Sequence, residues 1–350
     1  MDGEAGPAAA RTAGRRRGVA SGRLGINGLE RLERYKATKP ATLARILGGI
    51  TPVKEGKGDM KSVPPPHPHP SKPAYALPPG SCDAHVHVYG PVARFPYAAD
   101  RAYDPPEAPI ERLQALHHLL GVERAVIVQA TVHGTDNRAM LDAIARAPDR
   151  YRGVALVARD VSAGELRQLH AQGVRGVRYN FMPHLGKSAD PDEVRAVAER
   201  IAPLGWHVQV HVTAAHLPAI RGFLESLPVP FVIDHMGRPM VEDGLEQPAL
   251  AALLDVLRHG RAWVKISGPE RISARLSAQA QPYADAAPFV RRILDAAPDR
   301  TVWGTDWPHP NVREIPDDGK LVELLPRYTD DAAVLQRVLV ENPARLYWYD

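Results

Sequence analysis

Ser81-Cys82-Asp83-Ala84-His85-Val86-His87-Val88 is the stretch on which the fold reading turns. It is apolar and β-branched enough for a buried strand, yet an acid and two histidines stand at every second position. Successive strand side chains point to opposite faces, so the alternation predicts Asp83, His85 and His87 on one face. Three titratable groups on a buried face are costly unless partners or a site use them. The Asp-x-His-x-His spacing fits a metal-type hydrolase strand and equally a satisfied structural histidine pair. The rest of the chain has to decide.

Downstream of Leu77-Pro78-Pro79-Gly80 a pattern repeats to the C-terminus. Short apolar, β-branched runs are expected as strands at 83–88, 124–129, 151–157, 174–181, 207–212, 231–235, 263–267 and 302–306. Between them, apolar residues recur at three- and four-residue steps, predicting helices at 109–120, 137–147, 163–171, 191–202, 217–227, 249–259, 287–296 and 331–340. Gly121, Gly173, Gly205 and Gly260 follow helices where C-caps are favoured. Eight strand-then-helix units predict an α/β fold, a (β/α)8 TIM barrel. A doubly wound open sheet is the alternative, weakened because no Gly-x-Gly-x-x-Gly turn follows the first strand.

Upstream, residues 1–79 differ. They hold Arg15-Arg16-Arg17 and the proline run Val63-Pro64-Pro65-Pro66-His67-Pro68-His69-Pro70. Proline at this density prevents helix and sheet, so a disordered, basic, Pro-rich extension is expected before a catalytic domain at 80–350. His67 and His69 read as linker. Met60 stands close before the proline run, so a working protein lacking part of the extension is allowed for. The chain of 350 residues carries a net charge of +4, much of it in this extension. The basic pI therefore says little about the folded part. The first thirty residues lack the apolar core of a secretory leader, and no run is long enough to span a membrane. A single cysteine, Cys82, excludes an internal disulfide and fits a reducing cytoplasm. Nothing in the pattern assigns an oligomeric state.

The polar residues fall at expected strand ends, where barrels of this kind carry their sites. His85 and His87 end strand one, and Gln129, Thr131 and His133 follow strand two. Arg178 and His184 come with strand four, and His211 closes strand five. Strand six ends in Ile233-Asp234-His235-Met236-Gly237-Arg238, strand seven leads to Glu270-Arg271, and strand eight to Gly304-Thr305-Asp306-Trp307-Pro308-His309. Imidazoles and a carboxylate from separate strands, here His85, His87, His211, His235 and Asp306, can hold zinc or a similar ion. Arg178, Arg238 and Arg271 form a second set, and guanidinium forks grip carboxylates. Together they predict a substrate with more than one acidic group.

Four segments carry a resemblance. They are Cys82-Asp83-Ala84-His85-Val86-His87-Val88-Tyr89-Gly90-Pro91, Ile127-Val128-Gln129-Ala130-Thr131-Val132-His133-Gly134-Thr135-Asp136-Asn137, Ile233-Asp234-His235-Met236-Gly237-Arg238-Pro239 and Trp303-Gly304-Thr305-Asp306-Trp307-Pro308-His309-Pro310. From about residue 72 onward the chain resembles the amidohydrolase superfamily, of the amidohydrolase 2 type, and within it the 2-pyrone-4,6-dicarboxylate lactonases. The resemblance implies that Asp306 is the general base that activates water. It implies that His85, His87 and His235 polarise a lactone carbonyl, directly or through a metal. Tyr103, Arg178, Arg238 and Arg271 match positions that hold substrate carboxylates. Thr131 and His184 stand at substrate positions where those lactonases have serine and arginine, and His309 is grouped with them. His211 stands where they have tyrosine. Those lactonases work without a metal, whereas histidine on strand five is the usual ligand in metal-dependent members. His211 therefore implies one divalent ion, zinc or manganese, and no organic cofactor. The expected activity is hydrolysis of a small anionic lactone, pyrone dicarboxylate or a relative such as sulfomuconolactone. A metal-dependent decarboxylase is the first alternative. A non-catalytic barrel whose basic arm contacts nucleic acid is the remote one.

Overall fold

The computed structural model describes residues 63–182, 189–276, 278–279 and 281–349. Of the extension expected to be disordered over 1–79, residues 1–62 lie outside the described residues, as does His184. The strands are β1 (Cys82–Val86), β2 (Arg124–Val128), β3 (Tyr151–Ala155), β4 (Val174–Asn180), β5 (His207–His211), β6 (Phe231–Ile233), β7 (Ala262–Ile266) and β8 (Thr301–Trp303). They form one parallel sheet in chain order. The helices between them are α1 (Ile110–Leu120), α2 (Arg138–Ala145), α3 (Ala163–Ala171), α4 (Pro191–Ile201), α5 (Leu217–Ser226), α6 (Pro248–His259) and α7 (Ala287–Ala296). Past β8 the sheet curls onto β1. His87 N–H donates to the Trp307 carbonyl at 2.7 Å, and Asp306 N–H to that of His85 at 2.8 Å. This is the (β/α)8 barrel that the repeat predicts.

The helices form where apolar spacing permits an inward stripe. In α4, Val194, Val197, Ala198 and Ile201 are buried, the i, i+3, i+4, i+7 set of one face. Each valine or isoleucine buried in this way contributes about 1.5–3 kcal/mol before entropy is charged against it. Asp190 accepts from the Asp192 N–H at 3.0 Å and caps the helix, with Pro191 in the first turn. Gly121 ends α1 in the left-handed region, φ 80°, where a side chain would be strained.

The opening strand departs from simple alternation. A bulge between Asp83 and Val86 inserts one residue against β2. Ala84 joins Cys82, Val126 and Val128 in the inner apolar cluster. Asp83 instead faces β8 and α1, so it does not share the face of His85 and His87. Its Oδ1 accepts from Thr305 N–H at 2.9 Å and from His85 N–H at 3.2 Å, and its Oδ2 accepts from Thr305 Oγ1 at 2.6 Å. Close approach here requires Gly304, because a Cβ at that position would lie 2.6 Å from the His85 nitrogen.

The barrel floor is closed by Leu346 and Tyr347, in the same inner cluster as Trp263 and Val302. Above that floor is a buried polar layer, where Lys265 Nζ donates to the Ala84 carbonyl at 2.8 Å and to Gln209 Oε1 at 2.7 Å. The site lies above this layer. Beyond β8 the helix expected at 331–340 is present as α and π turns, preceded by two short helices that were not expected. The chain makes α8 (Asp318–Val322), α9 (Leu325–Tyr328), α10 (Ala332–Gln336) and α11 (Asn342–Tyr347), with a π turn at Arg337–Glu341. Pro343 has no N–H to continue the ladder, and the helix widens just before it. Residues 63–79 run along the barrel wall. Val63 N–H donates to the Asp104 carbonyl at 3.1 Å, and Ser71 N–H to Asp317 Oδ1 at 2.8 Å. No helix among the described residues is long and apolar enough to cross a membrane.

Candidate active site

At the carboxyl ends of the strands the backbone leaves regular geometry. β6 and β8 stop at Ile233 and Trp303, short of the expected ends at 235 and 306. His235, Met236 and Arg238 then take φ of 50°, 57° and 53°, and Asp306, His309 and Asn311 take 69°, 62° and 59°. Each such non-glycine residue costs about 1–3 kcal/mol. The turns aim His235, Arg238 and Asp306 into one cleft, which a straight strand would not do.

Asp306 stands at the centre of the histidines. Its Oδ1 is 3.3 Å from His87 Nε2 and 3.6 Å from His85 Nε2, and its Oδ2 is 3.9 Å from His235 Nε2. His87 Nδ1 lies 2.8 Å from the Val128 carbonyl, which can only accept, so this nitrogen donates and the ring is fixed with Nε2 toward Asp306. His235 Nδ1 is held at 2.9 Å by Ser267 Oγ. His85 Nδ1 is 3.4 Å from Asp234 Oδ1, and Asp234 Oδ2 accepts from Arg178 Nε at 2.9 Å. All of these groups are buried.

Burial would raise the Asp306 carboxyl, but Arg271, then His235, then His87, outweigh it and hold the group well below the usual carboxylate range. Burial acts against Asp234 in the same way and is outweighed by His85 and Arg178. Burial lowers His85 to about 4, assisted by Lys265 beneath it and opposed by Asp234 and Asp306. At neutral pH the site therefore presents ionised carboxylates beside a neutral His85.

Two triads can offer ligand atoms to a metal: His85, His87 and Asp306, and His85, Asp234 and His235. In each, the atoms lie within 4.8 Å of one another. Both His85 ring nitrogens and Asp306 Oδ1 are buried without a hydrogen-bond partner. That donor set fits a divalent ion. His211, expected among the ligands, lies in neither triad. Its ring centroid is 5.3 Å from that of His235, and both its ring nitrogens lack a hydrogen-bond partner. Burial lowers its pKa well below the usual value, followed by Arg178 and Arg238, so the imidazole is neutral.

The cleft is lined by His87, Tyr103, Thr131, Arg178, His211, His235, Arg238, Arg271, Asp306 and Asn311, which brings together most of the expected substrate residues. Burial, then Arg271, lowers Arg238 to about 9. His309 is placed otherwise. It is fully buried behind Asp306, its Nε2 lies 2.9 Å from Asp318 Oδ1, and its N–H donates to the Asp306 carbonyl at 2.8 Å. It supports the turn that carries Asp306. Sequence reasoning noted Asp234 and Ser267 at strand ends but gave them no site role, and it passed over Asn311. Asp234 carried a signal, an acid next to a strand-end histidine. Asn311 carried none that distinguishes it from ordinary polar residues.

The family model described as "Amidohydrolase" matches residues 82–348. A 2-pyrone-4,6-dicarboxylate hydrolase from Comamonas testosteroni is 47% identical over 286 residues, covering 80% of this chain and 94% of the relative. A 4-sulfomuconolactone hydrolase from Hydrogenophaga intermedia is 37% identical, covering 78% and 90%. A solved apo structure from Agrobacterium tumefaciens superposes with a TM-score of 0.69 at 32% identity, covering 79% of this chain and 99% of that one.

Proposed function

The chain belongs to the amidohydrolase family, and on that premise we propose that it hydrolyses a small, carboxylated lactone, with Asp306 as the base. The observation that carries the reading is one cleft with two chemical halves. A buried carboxylate faces three imidazoles on one side, and arginines line the other. The curated relatives at 47% and 37% identity are both hydrolases named for ring substrates, which supports the lactone class.

In this reading Arg178, Arg238 and Arg271, with Tyr103, Thr131 and His211, hold the carboxylates and orient the ring carbonyl toward the histidines. Water between the carbonyl carbon and Asp306 gives its proton to the carboxylate as its oxygen attacks. His85, His87 and His235 face the oxygen on which charge develops, where buried dipoles act strongly. The ring C–O bond then breaks, and the departing oxygen recovers the proton from Asp306. The product has one more carboxylate than the substrate. His85, His87, His235 and Asp306 would hold a divalent ion, zinc or manganese. Such an ion supplies Lewis acidity at the carbonyl and a lower pKa for water. A cytoplasmic location belongs to the same proposal and rests on the lone, buried Cys82.

The test is an assay of purified protein against 2-pyrone-4,6-dicarboxylate and 4-sulfomuconolactone, following loss of ring absorbance. Ring opening of either supports the reading. Carbon dioxide release without ring opening replaces it with a decarboxylase.

A further inference from the structure

Resting on that reading, the structure assigns Arg271 a second role, as a latch that holds the base shut until a substrate carboxylate draws it away. Asp306 divides its two oxygens. Oδ1 faces His85 and His87 and accepts no hydrogen bond among the described residues. Oδ2, the oxygen on the side open to the cleft arginines, accepts from Arg271 Nε at 3.0 Å and from Arg271 Nη2. Oδ1 is buried between the His85 and His87 rings and the guanidinium fork covers Oδ2, so neither oxygen stands open to a water in the cleft. The arginine expected to grip substrate is thus spent on the base.

The surroundings suit an arginine that changes partner. Arg271 Nη2 also donates to the Pro310 carbonyl at 3.0 Å, on the loop after β8, and its Nε lies 3.6 Å from Glu270 Oε1. Both Glu270 carboxylate oxygens are buried without a hydrogen-bond partner. Glu270 therefore remains as a nearby counter-charge when Arg271 leaves Asp306, so the guanidinium is not stranded. Gly268 makes room for the side chain, since a Cβ there would lie 2.9 Å from Arg271 Cδ. A ligand moves such an equilibrium only by the difference in its affinity for the two states. A carboxylate supplies that difference, because it competes with Asp306 for the same fork. A neutral lactone supplies none. The latch makes Arg271 a specificity-determining residue that restricts the active base to acidic rings.

Two experiments test this. The first is structural and needs no turnover: crystals of the wild-type protein with and without pyridine-2,4-dicarboxylate, a planar ring diacid with no ester to cleave. The expected result is Arg271 on a ligand carboxylate and more than about 4 Å from Asp306, the limit of an ion pair. An intact Arg271–Asp306 pair beneath bound diacid overturns the latch, whatever the enzyme hydrolyses. The second compares 2-pyrone, which is uncharged, with 2-pyrone-4,6-dicarboxylate in wild type, Arg271→Gln and Arg271→Lys, after melting curves confirm folding. Arg271→Gln should lose the diacid reaction while opening 2-pyrone roughly 10- to 100-fold faster than wild type. Added acetate should accelerate 2-pyrone opening by wild type and leave Arg271→Gln unaffected. Equal losses on both substrates, or no response of wild type to acetate, overturn the proposal. A wild type that opens no lactone at all refutes the hydrolase reading, while the crystal comparison still decides the latch.

Discussion

Replacing Asp83 by alanine should unfasten the seam of the barrel and displace Asp306, the proposed base, with it. The wild-type carboxylate accepts from Thr305 N–H, Thr305 Oγ1 and His85 N–H, and both donor residues are buried. The alanine variant leaves three donors without an acceptor in a dry interior. Each stranded donor costs about 1–3 kcal/mol, and Thr305 Oγ1 can turn elsewhere, so the two backbone donors together cost about 2–6 kcal/mol. For a domain of this size that lowers the melting temperature by about 10 °C. Function should fall further than stability accounts for. Thr305 precedes Asp306, and in the proposed mechanism His85 faces the carbonyl, so the variant should loosen both reacting sides at once. A misplacement of about 1 Å costs on the order of 100-fold in rate. The arginines stand on β4 and on the loops after β6 and β7, so KM should hold while kcat drops. The assay pairs scanning calorimetry with steady-state kinetics on the best lactone, well below the melting range. Asp83→Asn keeps one acceptor oxygen and should lie between the two. If Asp83→Ala melts within about 2 °C of wild type and keeps its kcat, the seam argument is wrong.

Three further predictions follow from the same geometry. Asp234→Asn leaves Arg178 buried beside a neutral amide, and thermal unfolding should show a loss of about 3–5 kcal/mol; an unchanged midpoint would show that the Arg178–Asp234 pair is dispensable. His207 is lowered to about 3, by burial first and Lys265 next, so it is neutral in the fold and takes a proton on unfolding once pH falls below its ordinary value. Its contribution is fully present above about pH 6.5 and is lost as pH falls toward the folded value, at about 1.4 kcal/mol per pH unit. Urea unfolding between pH 7 and 5 should be less steep in pH for His207→Gln, and an identical slope would refute the assignment. Metal analysis after loading with zinc or manganese should find His211→Tyr still charged with the ion and His87→Ala without it; the reverse pattern would return His211 to the ligand set.

Much of the barrel was legible because a parallel barrel repeats one instruction eight times. Each apolar run is followed by a helix with one apolar stripe, and β1 to β8 and α1 to α7 fall where the periodicities place them. What the pattern missed depends on single backbone events. Alternation assigned Asp83 to the face of His85, but the bulge in β1 turns it to the seam. Strand runs were carried to 235 and 306, whereas His235 and Asp306 stand in left-handed turns just beyond the last ladder bonds. Such turns have no composition signal in a non-glycine residue. The site histidines and arginines were legible because their polarity is out of place at a strand end. Asp234 was not picked out because an acid on a strand can as well be a solvated edge. His309 was placed with the substrate because position in a motif does not say which way a ring faces. Its partner, Asp318, lies nine residues on, in a helix that the pattern did not resolve.

The most direct measurement is the stoichiometry of acid production during turnover of a carboxylated lactone by wild type and Asp306→Asn, read together in a pH-stat and by ring absorbance. The account predicts one proton equivalent for each ring opened by wild type. It predicts a rate at least about 1,000-fold lower for Asp306→Asn, as expected when the group that accepts water's proton is removed. Both proteins should melt cooperatively. Near-normal ring opening by Asp306→Asn, or ring loss by wild type without acid release, would contradict it.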